Sequence, residues 1–588
     1  MQLLKLYIAF LLLVNILFST DLQTIATRSA NIIIEAFNGK NSITHLTPHL
    51  IQVAHHGHDL PEELKLELKS LGFDFSGETV TRTPITHTEY FDTDNFRIHY
   101  DLTGSHAVNN TDLDGDNIPD YIENIATEFE HVYNHLINVL GYTPPPSDGS
   151  AGGSSAFDIY VNNLGSNIYG FTNYSSLVGD NKKSTEVEIN AYLSNIEINS
   201  SFDSLPTSGL EGIQVTAGHE FFHAIQLGYD GDEQLWLLES TATWMEEETY
   251  DDINDCYQYL IPRFNEPHLR LNTPNTAISL RDYGSFIFFK YIDEHLGGAS
   301  VIRNIWEHSR NFDGKEGDNS IKIIDLALND HNQSFKKALN NMAIANRILS
   351  ADAAAGDYRY EEASGYKNYL NYNSHTPVPI RLAIQDSVNF TKGNFAQLES
   401  YNLQNFAAQY FNIKTSDPIK VELEKPNGAT DPINDLKMHI IKKTLTGDFE
   451  IYSGYSVNID PGTDTDWISV VIVADENKGA DFNYILKISD GINDSNNDFT
   501  ILNQFPNPTN GSTTTKLKVN DAQKINISVY DIIGKEVKQL HSGRLPAGLH
   551  SFTWQGLTNS GEKVGSGFYY VIASGSDFQV RSKIIFIK

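Results

Sequence analysis

Two neighbouring stretches carry the strongest pattern in this chain: HEFFH at residues 219–223 and WLLESTATWMEEE at residues 236–248. We expect them on two helices, over residues 209–227 and 234–250. His219 and His223 are four residues apart, so they share one helix face and can hold one ion. Glu220 lies beside them, where it can take a proton from a water on that ion. The neighbouring residues are apolar and predict a buried helix, in which these polar side chains need a partner.

The identity of the ion and of its third ligand follows from ligand chemistry. Zinc suits two imidazoles and one carboxylate, with one position left open for water. Glu239 is the favoured third ligand because its helix follows the first after a short loop. Asp230 or Asp232 in that loop stays as an alternative. The acids at 246–248 compete, although consecutive acids near a helix end are typical of a solvated face. The non-metal alternative is a pair of satisfied core histidines.

The two stretches together resemble the gluzincin metallopeptidases. In the aminopeptidase branch of that clan the second helix reads W-L-x-E-x-x-A-x-[YW]-x-E, which is matched in register by Trp236, Leu237, Glu239, Ala242, Trp244 and Glu246. The loop between His223 and Glu239 is shorter than is usual there. The G-x-M-x-N segment that binds a free amine is not found, which argues against an exopeptidase. The resemblance covers roughly residues 90–310 and implies a zincin-like α+β catalytic domain in a secreted zinc endopeptidase.

Further site residues are implied by the same resemblance. Tyr283, in RDYGSFIFFKY, looks like the tyrosine that stabilises the oxyanion in the aminopeptidase branch. His295 and His308 are other options, and simple packing is the alternative for the tyrosine. The segment EINAYL at 188–193 resembles the edge strand of thermolysin-like enzymes, where backbone groups hold an extended substrate. It makes Asn190, Ala191 and Tyr192 the candidate substrate-binding residues.

A second metal pattern lies at DLDGDNIPDYIE, residues 112–123. Its order of oxygen ligands is that of an EF-hand calcium loop, with the ligands Asp112, Asp114, Asp116, the Ile118 carbonyl, Asp120 and Glu123. The glycine falls at 115 rather than 117, and Asn117 takes the tight-turn position because asparagine tolerates the left-handed conformation. We expect one structural Ca²⁺ here, with a plain acidic loop as the alternative.

Composition limits the function classes. Lys and Arg number 42 and Asp and Glu 75, for a net charge of −33. Such a surface repels phosphate backbones, so no nucleic-acid partner is expected. Cys256 is the single cysteine, so neither an intrachain disulfide nor a multi-cysteine metal site is possible.

The N-terminal residues predict export. A lysine and an apolar run of about 13 residues indicate a cleaved signal peptide over residues 1–20, since a spanning helix needs about 20 residues. An uncleaved anchor is the alternative, and no membrane span is expected in the mature form. Residues 21–87 are either a pro-segment or an N-terminal lobe, with a helix at 61–71. The histidines at 55, 56 and 58 are interpreted as a solvated loop rather than a metal site.

The remaining chain divides by its patterns. Strands at 96–102, 157–161 and 186–193 alternate with the helices above and with helices at 123–140, 285–295 and 300–308, which predicts an α+β domain over residues 88–385. Short β-rich runs, among them 419–423 and 467–474, predict a β-sandwich at 386–490. A polar linker at 491–500 leads to a second sandwich at 501–588.

The C-terminal stretch resembles the type IX secretion sorting domain. The resemblance rests on FPNPTNG (505–511), INISVYDIIGKEV (525–537), LPAGLHSFTW (545–554), GSGFYYV (565–571) and the final SKIIFIK. It implies the type IX secretion machinery as a partner and a secreted or cell-surface location. A plain accessory sandwich is the alternative.

The expected function is hydrolysis of peptide bonds in protein or peptide substrates by a zinc-activated water. Two other classes stay open. One is a surface adhesion or binding protein whose metal site is vestigial. The other is a zinc hydrolase that acts on a non-peptide bond.

Overall fold

The computed structural model describes residues 23–40, 45–274, 279–310, 312, 318–369, 376–400, 402–426, 435–478, 481–491, 499–532, 534–575 and 579–587. The predicted signal at 1–20 and most of the predicted linker at 491–500 lie outside the described residues. The chain forms two compact units: one runs to Ala351 and includes Asp357–Ala383, and the other comprises Asp352–Gly356 and everything from Ile384. Among the described helices, none has the length and apolar character needed to cross a membrane.

The first unit mixes helices with one main sheet. Its described helices are α1 (residues 23–37), α2 (Thr47–His56), α3 (Glu62–Ser70), α4 (Asp120–Tyr133), α5 (Gly209–Asp230), α6 (Leu235–Thr249), α7 (Tyr257–Asn265), α8 (Leu280–Gly284), α9 (Phe286–Leu296), α10 (Ala299–Ser309), α11 (Ser320–Asp330), α12 (Phe335–Ile348) and α13 (Ala363–Lys367). Its strands are β1 (Phe73–Asp74), β2 (Thr81–Arg82), β3 (Glu89–Asp92), β4 (Phe96–Tyr100), β5 (Phe157–Asn162), β6 (Gly170–Gly179) and β7 (Ala191–Asn199).

The main sheet has the strand order β3-β4-β5-β7-β6. β4, β5 and β7 run parallel, while β3 and β6 pair antiparallel at the two edges. The inward side chains of the sheet pack against α5: the Phe221 ring centre lies 5.1 Å from that of Phe96 and 5.7 Å from that of Phe157. The sheet therefore fixes the face of α5 that carries HEFFH.

Helices α5 and α6 follow one another after a four-residue break and are buried over almost their whole lengths. A helix that is buried all round lies in a core rather than on a surface. The polar residues of both helices are consequently held in fixed positions, because each must find a partner away from water.

Several predicted boundaries shift. The predicted helix at 123–140 begins at Asp120 and ends as an α-helix at Tyr133, followed by a π-helical turn at Asn134–Val139. The strand predicted at 186–193 is wrong in position, because the strand spans Ala191–Asn199. That strand, β7, pairs with both β5 and β6, so the edge beside α5 is β6.

The N-terminal segment belongs to the first unit. Side chains of α1, α2 and α3 share one apolar cluster with residues just before and within β6, namely Leu164, Ile168 and Phe171. The loop predicted for the histidines at 55, 56 and 58 is wrong in secondary structure for the first two, which end α2, but these two are only half-buried, and the third is exposed in the turn that follows the helix.

The second unit consists of two β-sandwiches, each with its own apolar core. The first pairs the sheets β13-β12-β15-β10-β8 and β14-β11-β16-β9. Its strands are β8 (Asp386–Asn389), β9 (Ala396–Glu399), β10 (Ala407–Lys414), β11 (Ile419–Glu424), β12 (Leu436–Thr444), β13 (Phe449–Ser453), β14 (Ser456–Ile459), β15 (Thr465–Ala474) and β16 (Ile485–Asp490).

The second sandwich has the sheets β17-β18-β21 and β20-β19-β22-β23. Its strands are β17 (Phe499–Phe505), β18 (Thr513–Val519), β19 (Gln523–Asp531), β20 (Glu536–Leu545), β21 (Gly548–Trp554), β22 (Gly567–Ser574) and β23 (Gln579–Phe586). An α+β unit followed by two sandwiches is the architecture that the sequence predicts.

Candidate metal centre

Three side chains from α5 and α6 converge at one point. The Nε2 atoms of His219 and His223 are 3.0 Å apart, and Oε2 of Glu239 lies 3.4 Å from each of them. Ligands about 2.0–2.1 Å from a tetrahedral zinc ion are separated by about 3.3 Å, so the three spacings match one face of such a tetrahedron. All three residues are buried.

The far sides of both imidazole rings are occupied by acceptors. Nδ1 of His219 lies 2.6 Å from Oε1 of Glu246, and Nδ1 of His223 lies 2.7 Å from Oε1 of Gln226. The orientation of the Gln226 amide follows from its Nε2, which donates to the Leu238 carbonyl and to the Thr241 hydroxyl. Each Nδ1 is thus placed to donate to its acceptor, and the Nε2 atoms of the two rings face each other.

This arrangement fits a cation. Two imidazole nitrogens and a carboxylate meet in a buried place, and neither oxygen of Glu239 accepts a hydrogen bond within the described residues. Burial lowers the pKa of His219, but the carboxylates of Glu239 and Glu246 outweigh it and raise that pKa well above the ordinary value. Burial raises the pKa of Glu239, but the two histidines have the larger combined effect and hold that pKa well below its ordinary value. The site thus favours positive charge, as zinc supplies.

Glu246 was interpreted from sequence as part of a solvated acidic face, and this is wrong. It is only 5% exposed, and its carboxylate contacts Nδ1 of His219, the ring nitrogen that faces away from Glu239. Burial raises the pKa of its carboxyl to about 7. The signal was present in the sequence, because Glu246 follows Glu239 by two helical turns and so lies on the same face. Carboxylates in this position fix the orientation of a metal-ligating imidazole.

Glu220 is anchored from the sheet edge. Its Oε2 accepts hydrogen bonds from the hydroxyls of Thr172 at 2.8 Å and Thr47 at 3.1 Å. Thr172 lies on β6, and Thr47 begins α2 in the N-terminal segment. The carboxylate is held beside the three converging atoms without being one of them, which is the arrangement that a general base requires.

Tyr283 lies against the face of the His219 ring. Its ring stacks on the His219 ring, with centres 5.9 Å apart and planes 10° apart. Burial and the nearby Glu239 raise the pKa of the Tyr283 hydroxyl well above its ordinary value. Among the described residues this hydroxyl has no hydrogen-bond partner, although it is buried. An orphaned donor next to Glu239 is a candidate for stabilising negative charge at the centre.

His45 completes the surroundings of Tyr283. Its ring centre is 4.3 Å from that of Tyr283 and 6.3 Å from that of His219. The Tyr259 hydroxyl lies 3.0 Å from Nε2 of His45. Burial lowers the pKa of His45 to about 3, so its ring is uncharged. Sequence reasoning passed over His45, because nothing local marks a histidine that reaches the centre from 174 residues away.

The alternative residues lie elsewhere. Asp230 accepts from the side-chain amide of Asn190, and Asp232 lies 3.0 Å from the Tyr192 hydroxyl, so both face away from the three ligand atoms. Nε2 of His295 lies 2.8 Å from the Arg359 carbonyl, and His308 pairs with Asp330 at 2.8 Å. Glu239 and Tyr283 are the candidates that the structure brings to the histidines.

The proposed substrate-binding residues do not lie on the sheet edge. Ala191 and Tyr192 are in β7 and pair with β6, and Asn190 forms an isolated bridge with Asp230. Its carbonyl accepts from Gly231, so this backbone is already in use. The prediction that the segment forms the edge strand is therefore wrong, because β6 lies between it and the edge. β6, with Thr172 next to Glu220, occupies the position that the sequence assigned to EINAYL.

The acidic loop forms a second candidate metal site. One carboxylate oxygen from each of Asp112, Asp114 and Asp116 meets the others within 4.8 Å. Asn117 has a φ of 77°, which is the left-handed turn that the sequence assigned to it. Asp120 and Glu123 lie in the first turn of α4. Burial and the neighbouring aspartates raise the pKa of Glu123, so its carboxylate faces the same negative cluster.

Comparison with known proteins identifies one domain. The C-terminal sandwich matches the family model of the FlgD Ig-like domain over residues 503–577. This part of the chain is an Ig-like sandwich. No curated protein matches the chain.

The chain also matches solved structures at low TM-scores. Dimeric latent PorU from Porphyromonas gingivalis is 13% identical, with a TM-score of 0.16, and the match covers 35% of this chain and 19% of PorU. An FMN-binding β-glucuronidase from Facaelibacterium prausnitzii L2-6 is 14% identical, with a TM-score of 0.12 and coverage of 29% and 32%. A β-glucuronidase from Ruminococcus gnavus is 11% identical, with a TM-score of 0.14 and coverage of 38% and 42%. The chain thus spans less than half the length of each of these proteins.

Proposed function

We propose that this protein is a secreted zinc-dependent endopeptidase of the gluzincin type, with a zincin-like catalytic domain. The observation that carries the proposal is the spacing of 3.0, 3.4 and 3.4 Å among the Nε2 atoms of His219 and His223 and Oε2 of Glu239. Both imidazoles are held in the zinc-binding tautomer by Glu246 and Gln226. Burying a polar side chain costs stability unless the side chain is paired. The complete set of buried partners around the two histidines therefore supports a working metal site rather than a vestigial one.

The residues divide the work. His219, His223 and Glu239 would hold zinc, which when bound polarises the scissile carbonyl and makes water a stronger acid. Glu220 takes the proton from the attacking water and passes it to the leaving amine. The Tyr283 hydroxyl donates a hydrogen bond to the oxygen that becomes negative as the carbonyl is attacked. The edge of β6 offers backbone groups to an extended peptide beside Glu220.

The proposed location is outside the cell or on its surface. The support is sequence resemblance: a signal peptide at the start and a type IX sorting domain over residues 501–588. An Ig-like sandwich at 503–577 is compatible with such a domain. The partner that this resemblance suggests is the type IX secretion machinery, and the proposed substrate is a protein or peptide.

Metal analysis combined with peptide hydrolysis tests the function. Purified protein should contain about one zinc ion at the His219 centre. Its cleavage of a peptide library, measured before and after limited proteolysis of the N-terminal segment, should be lost after treatment with a chelator. Glu220→Gln removes the proton acceptor and leaves the ligands, so zinc content should stay while hydrolysis falls by about two or more orders of magnitude. Glu239→Gln removes a ligand charge, so both zinc affinity and hydrolysis should fall.

Glu211→Gln is the matched control, since Glu211 is an exposed residue of the same helix as Glu220. It should leave both zinc content and hydrolysis at the parental level. Full hydrolysis by Glu220→Gln, or full zinc content in Glu239→Gln, would contradict the assigned roles.

A further inference from the structure

Two side chains from the N-terminal segment reach the metal centre. The Thr47 hydroxyl donates to Glu220 at 3.1 Å, and His45 lies against Tyr283. Both are therefore in contact with the residues to which the proposed function gives the proton transfer and the oxyanion.

The same segment occupies the sheet edge. Outward-facing backbone groups of an edge strand are the groups with which an extended peptide pairs. His45 forms a parallel bridge with Gly170 at the start of β6, and the Thr172 N–H donates to the Thr47 hydroxyl at 3.0 Å. A peptide laid along β6 beside Glu220 would have to displace residues 45–47.

The segment also borders a small cavity. This cavity has a volume of about 30 Å³, and its wall includes His45, Tyr259, Glu220 and Glu246. It has room for about two water molecules. His45 thus closes the space on the Glu246 side of His219, next to Glu220.

The segment is docked on the fold. Leu46, Leu50 and Val53 pack in the apolar cluster that includes Phe171 of β6. The Arg82 guanidinium, further along the chain, forms a buried ion pair with Glu197 of β7 and lies 5.6 Å from the ring centre of Phe171. Between these two anchors, residues 76–78 form an exposed turn.

We propose that residues 45–56 are an autoinhibitory cover of the metal site, and that hydrolysis begins when the segment carrying them leaves. The proposal rests on the proposed zinc endopeptidase function. The sequence allows the N-terminal segment to be either a pro-segment or a structural lobe. The proposal makes it a pro-segment. The opposite view, that His45 and Thr47 are permanent parts of the catalytic machinery, predicts that removing them lowers hydrolysis.

Cutting the exposed turn tests the cover. A recognition sequence for a site-specific protease replaces Ser76–Glu78 in the full chain, and the zinc-loaded protein is compared uncut and after cutting and gel filtration. Two rates are measured: extraction of zinc by dipicolinate and hydrolysis of a fluorogenic peptide. Both should rise by about tenfold or more, since a segment cut from the chain loses the effective concentration that kept it bound.

A point variant gives an independent arm. Thr47→Val in the uncut chain removes the hydrogen bonds to Glu220 and from Thr172, so zinc extraction and hydrolysis should both increase. The control is Leu66→Ala, on α3 of the same segment, because Leu66 is 64% exposed. It should leave both rates unchanged.

The outcomes separate the two proposals. If cutting speeds zinc extraction and no form hydrolyses peptide, the cover stands and the endopeptidase function falls. If the uncut protein hydrolyses peptide, and loss of the segment leaves both rates unchanged or lowers hydrolysis, the cover is overturned and the function stands. A segment that leaves only when the rest of the protein unfolds also overturns the cover.

Discussion

Glu246 is not one of the three candidate ligands, yet it determines the orientation in which the His219 ring directs Nε2 toward the other two. The carboxylate 2.6 Å from Nδ1 fixes both the tautomer and the ring orientation. Glu246→Ala should weaken zinc binding by about 10–100-fold. Glu246→Gln keeps an acceptor oxygen and should recover much of that affinity. Zinc affinity is measured by competition with a chromogenic chelator.

A matched control comes from the same helix. Glu248 faces His135 at 3.5 Å and is part-exposed, so Glu248→Ala should leave zinc affinity unchanged. Equal affinities for parent and Glu246→Ala would show that packing alone positions His219. Equal losses in the Ala and Gln variants would show that charge, rather than a hydrogen bond, is what Glu246 supplies.

Tyr283 separates catalysis from stability. Tyr283→Phe removes a buried hydroxyl that has no hydrogen-bond partner among the described residues. Zinc content and the free energy of unfolding should not fall, whereas hydrolysis should fall by about 10²–10³-fold if the hydroxyl stabilises the oxyanion. The measurements are metal content, a denaturant titration and the hydrolysis rate.

Tyr291→Phe is the comparison for Tyr283→Phe. The Tyr291 hydroxyl donates to the Asp357 carbonyl at 3.0 Å, so its loss should cost about 1 kcal/mol of unfolding free energy and leave hydrolysis unchanged. A Tyr283→Phe protein with parental hydrolysis would assign this tyrosine to packing alone.

At the scale of elements, the loop before α4 gathers carboxylates that repel one another. Ca²⁺ should raise the melting temperature of the full-length protein, because a ligand that binds the native state stabilises it by mass action. In Asp116→Asn and Glu123→Gln the rise should be smaller or absent. Differential scanning fluorimetry with and without Ca²⁺ measures it.

Asp94→Asn controls for the loss of one exposed negative charge outside the loop, and it should keep the full response to Ca²⁺. A parent protein that melts at the same temperature with and without Ca²⁺ would reduce the loop to an acidic turn.

Local periodicity located the elements but not their neighbours. Residues on α5 and α6 were predictable because a four-residue spacing and a helix face are local properties. The identity of the edge strand was not, since pairing order depends on contacts between segments far apart in the sequence. β6 has no strict alternation: five buried residues are followed by exposed ones. The likeness of EINAYL to an edge strand covers only a few residues and carries no information on pairing order.

The contribution of the N-terminal segment was missed for the same physical reason. Thr47 and Glu220 are 173 residues apart, and their hydrogen bond leaves no trace in either local pattern. The helix α2 ends in two histidines, which lowered its apolar signal although eight of its ten residues are buried. Burial of a helix on several sides requires partners that a single sequence does not display.

At the scale of the whole molecule, the Ig-like sandwich has a core separate from that of its neighbour. Removal of residues from 492 onward should leave the first unit folded and its hydrolytic activity intact, while export across the outer membrane of the host stops. Immunoblots of cell and medium fractions, with the intact chain as the control, measure the export. Release of the truncated protein at the parental level would leave the sandwich without the sorting role.

Cys256, the single cysteine, is 1% exposed, and its thiol lies against Oε2 of Glu247 at 2.9 Å. Burial raises its pKa well above the ordinary value, so the reactive thiolate is scarce in the native state. An alkylating reagent can modify it only after the surrounding helices open. The chain thus contains one native reporter of opening beside α6, and the rate at which it is labelled would follow the integrity of α5 and α6 without any engineered probe.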